Sequence, residues 1–482
     1  MLFTSFQFIL FFPAVLLLYW SVPHKFRWVL LLLASYFFYL SFNIYYGVLI
    51  LVSSLVSYYC GVLIAQSESM GRKRLSLMIS VVANLLLLFY FKYFNFAASL
   101  LNSLLESMQF EAAIPIFEIL LPIGISFYTF QVLSYNLDIF YGLTKPEKNF
   151  GIYAVYVSFF PQLVAGPIER STTFLPQFHT RKTFRYEDFS RGIKLIIWGF
   201  FKKLVIADRI SVLVNQVYDD VGAYHGVGTG LAIVLFALQI YCDFSAYSDI
   251  AIGCAKMMGF DLMKNFNRPY TSKSLGEFWR RWHISLYSWF TDYLYTPVVF
   301  KRRSWGKTGI MYAVILTFTL SGVWHGAKLT FFFWGLLLSL GMVYELVTAK
   351  WRRKLTMKFN TFWYGKFTMM LTFGFIVMVD VLFRSENMEQ VGEVFTQLFS
   401  FNYNGFSGVI GELKTLINGK MLVSILLLGL FLLIEPKIEQ YVEQPSTGNK
   451  RRLQRQLIFA SLIALVLICG KFGEDNFIYF QF

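Results

Sequence analysis

Ser321-Gly322-Val323-Trp324-His325-Gly326-Ala327 sets one imidazole between two long apolar runs, Ile310 to Leu320 and Phe331 to Tyr344. An ionisable side chain at membrane depth is costly, so it marks a functional position by default. The alternative is a histidine that only hydrogen-bonds one helix to the next. The surrounding chain decides whether a membrane is involved at all.

It is. The 482 residues are 56% hydrophobic, 20% aromatic and only 15% charged, against about 25% charged in a soluble domain. Apolar stretches of about 20 residues recur from end to end, as in a polytopic helical membrane protein. The expected architecture is all-α, with residues 1–482 forming one membrane-embedded unit. It would contain about 11–13 transmembrane or re-entrant helices. Met1 to Trp20 lacks a basic leader and a small-residue cleavage site, and reads as a retained first span. The net charge of +15 resides in short loops between spans, which points to topology and anionic lipid rather than nucleic acid. Cys60, Cys242, Cys254 and Cys469 lie in apolar segments without paired spacing, so they read as small core residues. No phosphate-binding glycine loop, serine nucleophile elbow or zinc-type histidine spacing occurs, and no metal is expected.

Span one, Leu2 to Trp20, is followed by a basic loop with His24, Lys25 and Arg27. Trp28 to Phe42 returns through an uncharged loop near Asn43, and Tyr46 to Ala65 crosses again to Arg72, Lys73 and Arg74. Leu75 to Phe91 then leads to a segment bearing Glu106, Glu111 and Glu118. By the positive-inside rule the basic loops are cytoplasmic and the N-terminus is outside. Lys450 to Arg455 before the last span, and Glu474 and Asp475 beyond it, put the C-terminus outside as well.

The middle of the chain is less regular. Pro122 to Tyr141 is apolar but carries Gln131, Asn136 and Asp138. Phe159 to Glu169 has two prolines and a glycine in a hydrophobic run, which predicts a re-entrant or broken helix lining a cavity, or a helix–loop–helix at the interface. Thr229 to Cys254 is a long helix in which Asp243 and Tyr247 share one face, and Ser245 and Asp249 another. This polar density predicts a polar interior, either catalytic or giving structural support. Leu275 to Tyr295, with Trp279, Trp282, Trp289, Arg280 and Arg281, suits a helix at the membrane interface, with His283 at its basic–apolar boundary. A basic loop with Lys301, Arg302, Arg303 and Lys307 precedes the His325 hairpin.

Trp-Arg-Arg-Trp-His-Ile-Ser-Leu at 279–286, Asp-Tyr-Leu-Tyr at 292–295 and Ser-Gly-Val-Trp-His-Gly-Ala at 321–327 resemble the membrane-bound O-acyltransferases. Within them the chain looks most like the bacterial alginate O-acetylase branch. The stretches 241–253 and 160–168 and the terminal Phe-Ile-Tyr-Phe-Gln-Phe support that branch. The likeness covers nearly the whole chain. Two departures stand out: Thr291 replaces the arginine usual before Asp-Tyr-Leu-Tyr, and Val298-Val299 replaces a Gly-Gly turn.

The resemblance implies helices ringing a thin centre, with cytoplasmic and extracytoplasmic funnels meeting near a catalytic His325 and with His283 close to the same channel. It implies an O-acetyltransferase in a bacterial inner membrane that takes an acyl group from a cytoplasmic thioester, acetyl-CoA or an acyl carrier. The group passes to an extracytoplasmic SGNH-type partner or directly to an exported polysaccharide. The chemistry asks for a base and a stabilised oxyanion. A neutral imidazole suits the first task, and burial in a low-dielectric site disfavours imidazolium. Backbone amides beside Gly322 or Gly326 would hold the oxyanion, with Trp324 as a further supporting residue. His283 or Asp292 would orient His325 or relay its proton. Arg280, Arg281, Arg302 and Arg303 would attract donor phosphates, or else only enforce topology. The thioester is already activated, so no bound cofactor is expected. The rival readings are a D-alanyl transfer protein of teichoic acid synthesis and a non-enzymatic transporter, the latter commonly betrayed by an internal repeat.

Overall fold

The computed structural model describes every residue except 111–112, 404, 444–448, 474–476 and 479–482. Among the described residues the regular structure is helical throughout, without a strand.

The N-terminal group comprises α1 (Phe6–Ser21), α2 (His24–Leu40), α3 (Ile44–Gln66), α4 (Met70–Leu88) and α5 (Phe94–Ser107). Next come α6 (Ile125–Phe140), α7 (Phe150–Ser158), α8 (Ser171–His179), α9 (Tyr186–Phe200) and α10 (Asp208–Tyr218). The long α11 (Gly226–Met257) leads to the short α12 (Leu275–Trp279), α13 (Ile284–Phe290) and α14 (Thr296–Lys301). Then follow α15 (Lys307–His325), α16 (Leu329–Lys358), α17 (Thr361–Arg384), α18 (Met388–Leu398), α19 (Gly405–Leu416), α20 (Gly419–Glu443) and α21 (Asn449–Cys469). Among the described residues seven helices are long and apolar enough to cross a membrane, and Phe6–Ser21 and Leu453–Cys469 are shorter apolar ones. The chain is a multi-pass membrane protein.

Most expected spans appear, with shifted ends. Ser5 caps α1 by accepting from the Phe8 amide, so the helix starts four residues later than its apolar run. His24, Lys25 and Arg27 are not a loop but the first turn of α2, and Arg72, Lys73 and Arg74 belong to the first turns of α4. Leu75 to Phe91 does not end at Phe91 either. A π-turn over Phe89–Tyr93 carries the helix on to Ser107, giving 38 helical residues from Met70. Glu106 is thus helical; Glu111, Glu474 and Asp475 lie outside the described residues.

Phe159–Glu169 is broken, as its prolines require, and fully buried. It lines none of the described cavities. Protein groups meet it instead: the Phe160 amide donates to Ser35 Oγ at 3.1 Å, Gln162 Nε2 donates to the Tyr156 carbonyl at 3.1 Å, and Glu169 Oε1 accepts from the Met263 amide at 2.6 Å. The polar trio of α6 is likewise paired. Gln131 donates to the Tyr156 carbonyl, Asn136 to Ser57 and Ser80, and Asp138 accepts from Tyr293 and Ser171.

The two polar faces of α11 are separate, as helical phase demands. Asp243 meets Lys203 Nζ at 2.7 Å and accepts from the Ile478 amide at 2.7 Å. On the same face, Tyr247 stacks on Phe3 at 4.6 Å and meets Phe477 edge-on at 4.9 Å. On the other face, Ser245 and Asp249 both take Lys202 Nζ at 2.8 Å. A second π-turn, Phe201–Ala207, supplies both lysines, and Lys203 also pairs with Asp208 at 2.8 Å.

Leu275 to Tyr295 is not an interface helix. It breaks into α12, a turn, α13 and a third π-turn over Thr291–Tyr295, and Trp279, Trp282 and Trp289 are all buried. Aromatic packing wins over interfacial solvation here: Trp289 lies flat on Phe130 at 4.0 Å and donates from Nε1 to the Phe130 carbonyl.

Candidate active site

His325 is the last residue of α15, where the helix leaves backbone carbonyls without intrahelical donors. The first π-turn fills that need. Lys92 Nζ donates to the Trp324 carbonyl at 2.7 Å and to Ser126 Oγ at 3.3 Å, and the Tyr93 hydroxyl donates to the Val323 carbonyl at 3.0 Å. A cation at a helix C-terminus also opposes the negative end of the dipole. The lone lysine in Phe-Tyr-Phe-Lys-Tyr-Phe was the available signal for this residue, and its cost at membrane depth should have singled it out.

The His325 side chain is 4% exposed and boxed by rings: Trp324 at 4.9 Å, Trp334 at 5.1 Å and Phe383 at 5.3 Å. Trp334 in turn donates from Nε1 to Asp380 Oδ1 at 3.1 Å, a carboxylate hidden within the apolar run Phe367 to Phe383. Trp324 stacks on Phe130 at 5.3 Å, and through Phe130 reaches Trp289. One aromatic pile therefore joins the two histidine motifs.

His283 is 1% exposed and lies 6.4 Å, ring to ring, from Trp324. Its backbone has φ +43°, a left-handed conformation that costs a non-glycine residue energy and persists only where neighbours impose it. The neighbours are residues 265–267: the Ile284 amide donates to the Asn265 carbonyl, Ser285 Oγ donates to Asn265 Oδ1, and the Asn267 amide donates to the Arg281 carbonyl. Phe244 meets the imidazole edge-on at 4.6 Å.

A cavity of about 140 Å³ runs between α12, α13, α15 and α16, lined by His283, Trp279, Tyr287, Thr317 and Ser321 among others. His325 does not line it. Ser321 does, one helical turn before His325, or about 6 Å along the axis. Trp279 forms part of the wall, and behind it a void of about 10 Å³ touches Asp380 and also Trp334 and Phe383, which pack on His325. The indole N–H groups of Trp279 and Trp324 are buried without a hydrogen-bond partner among the described residues.

Other expected site residues lie elsewhere. Asp292 pairs with Arg170 at 3.1 Å and is half-exposed, so it is held away from the role of orienting His325. Gly322 lies inside α15, and a Cβ there would meet the Phe331 carbonyl oxygen at 2.3 Å and the Gly335 backbone at 3.0 Å. Its smallness serves the close crossing of α15 and α16, and its amide belongs to the helix ladder rather than to an oxyanion. Gly326 sits just beyond the helix in extended backbone, against the Phe331 ring. Arg281 is taken by Glu277 at 2.6 Å and Arg302 stacks over Trp305 at 4.3 Å, while Arg280 and Arg303 are exposed.

Residues 147–383 match the model of the membrane-bound O-acyltransferase family. The chain is 34% identical to a probable alginate O-acetylase, AlgI, of Pseudomonas putida, with all of both chains aligned. It is 33% identical to a peptidoglycan O-acetyltransferase of Helicobacter pylori over 77% of this chain and 73% of the relative. A teichoic acid D-alanyltransferase of Bacillus subtilis is 28% identical over 53% of this chain and 66% of the relative. The chain belongs to the membrane-bound O-acyltransferase family and is an acyltransferase.

Proposed function

We propose that the enzyme moves an acetyl group from a cytoplasmic thioester, acetyl-CoA or an acyl carrier, to the hydroxyl of an exported glycan, directly or through an extracytoplasmic SGNH-type partner. The host membrane is a bacterial inner membrane. His325 removes the proton of the attacking hydroxyl, and the oxygen adds to the thioester carbonyl carbon. As the C–S bond breaks, the imidazolium returns the proton to the departing thiolate, so the ring ends as it began. The Trp279 indole or the Gly326 amide holds the oxyanion.

The observation that carries this reading is the placement of His325 at a helix end whose carbonyls are fixed by Lys92 and Tyr93, one turn from a cavity that His283 also lines. The glycan-acetylating relatives, matched over most of their length, favour acetyl over D-alanyl as the cargo. Purified enzyme incubated with labelled acetyl-CoA and candidate acceptors, followed by mass spectrometry of the acceptor, tests it. Label should move with wild type and not with His325→Ala. Transfer surviving in His325→Ala at normal expression refutes the role of the imidazole. Transfer of D-alanine from a charged carrier, with acetyl refused, establishes the alternative donor.

A further inference from the structure

The widest of the described cavities that touch the long helices is not at the histidines. A groove of about 630 Å³ opens between α16 and α17. Leu337, Leu340 and Tyr344 face it from α16, and Phe367, Leu371 and Phe375 from α17, at the three- and four-residue spacing that puts each set on one helical face. The helices close at Gly341, where a Cβ would meet Leu275 at 2.7 Å and Phe375 at 2.8 Å. Beyond that point they leave the groove open toward the end of α16 that bears Lys350, Arg352, Arg353, Lys354 and Lys358. By the bias of lysine and arginine, this end faces the cytoplasm.

The charged lining at that end is unbalanced. Lys273 and Arg352 border the groove with one carboxylate, Glu345. Glu345 is already used: its oxygens accept from the Leu275 and Gly276 amides at 2.8 and 3.2 Å and meet Arg352 Nη1 at 3.5 Å. Lys273 forms no ion pair among the described residues, and its ammonium rests beside Gly365. Arg352 Nε is buried without a hydrogen-bond partner among them. Trp351, half-exposed, sits at the same level, as interfacial tryptophans do.

We propose that this groove holds an anionic phospholipid of the cytoplasmic leaflet, its acyl chains between α16 and α17 and its phosphate between Lys273 and Arg352. Apolar walls alone would accept any lipid tail. The pair of cations beside a spent carboxylate selects a negative headgroup, the chemistry of basic pockets between membrane helices. A second polypeptide helix would need its own anion at the same depth.

Protein freed of lipid by detergent exchange is titrated with phosphatidylglycerol or phosphatidylcholine, and intact complexes are weighed by native mass spectrometry. Wild type should retain phosphatidylglycerol preferentially. Lys273→Gln and Arg352→Gln should each weaken it about fivefold, leaving phosphatidylcholine unchanged. Leu371→Trp, which fills the groove, should weaken both lipids. Lys273 is exposed, so Lys273→Gln keeps its fold and decides the matter even if Arg352→Gln lowers yield. Unchanged selectivity in Lys273→Gln overturns the proposal. So does displacement of the lipid by inorganic phosphate at equal concentration, or a photo-crosslink from position 371 to a polypeptide rather than to lipid.

Discussion

Lys92 Nζ and the carbonyl of Trp324 are 2.7 Å apart although 232 residues separate them in the chain. This bond, with that of the Tyr93 hydroxyl to the Val323 carbonyl at 3.0 Å, holds the end of α15 from which His325 projects.

Lys92→Met should therefore leave the buried Trp324 carbonyl with only the long 3.4 Å contact from the Tyr93 hydroxyl, a loss of about 1–2 kcal/mol. If His325 is the base and the cavity beside Ser321 takes the thioester, acetyl transfer should fall by about tenfold or more while the thioester KM changes little, because the imidazole moves and the cavity does not. Lys92→Arg should restore part of kcat. Steady-state kinetics of the purified variants check this.

Trp279 lines the cavity and carries a buried indole N–H without a partner among the described residues. Trp279→Phe keeps most of the packing and removes the donor. A drop in kcat of about tenfold or more at unchanged thermal stability is expected; equal loss of stability and activity would point to packing alone.

Lys203 is held by Asp208 and Asp243 at 2.8 and 2.7 Å in a buried cluster. Lys203→Met removes the cation shared by two buried carboxylates and should cost about 3–5 kcal/mol. The melting temperature in detergent should fall steeply, and the fluorescence-detected gel-filtration peak should broaden.

Gly322→Ala places a methyl group 2.3 Å from the Phe331 carbonyl oxygen. The α15–α16 crossing must open, at about 1–3 kcal/mol. Thermal stability should drop, and activity with it, since His325 lies three residues on.

Thr317→Trp projects bulk into the cavity of about 140 Å³. If the thioester occupies it, kcat/KM for acetyl-CoA should fall by about tenfold or more, while melting stays near wild type. Unaltered kcat/KM would place the donor elsewhere.

Much of this architecture was legible beforehand. The apolar runs gave the helices, and a period of 3.6 residues correctly separated the face of Asp243 and Tyr247, where Asp243 meets Lys203, from that of Ser245 and Asp249, which meet Lys202. Periodicity could not supply those lysines, because Lys202 and Lys203 are adjacent and only a π-turn aims both at α11. The same limit hid Lys92. Tryptophans beside arginines at 279–282 looked interfacial by composition, but their burial depends on Phe318 and Trp334 around Trp279 and on Tyr241 beside Trp282, which lie on other elements. Histidine positions were readable as costly residues. The partners of Asp292 and Gly322 were not, because each is decided by tertiary contact, whereas Arg281 takes Glu277 at the local four-residue spacing.

The three π-turns share a consequence. Each inserts a residue without making a loop, so the helix beyond it is rotated by about 100° from where an unbroken α-helix would point. Lys92, the Lys202–Lys203 pair and Asp292 all sit within these inserts. Deleting one residue from Phe89–Tyr93 would mend the ladder and yet swing the ammonium away from α15. In this enzyme a regularised helix would be the damaged one, and small changes in chain length inside these turns act as phase shifts rather than as slack.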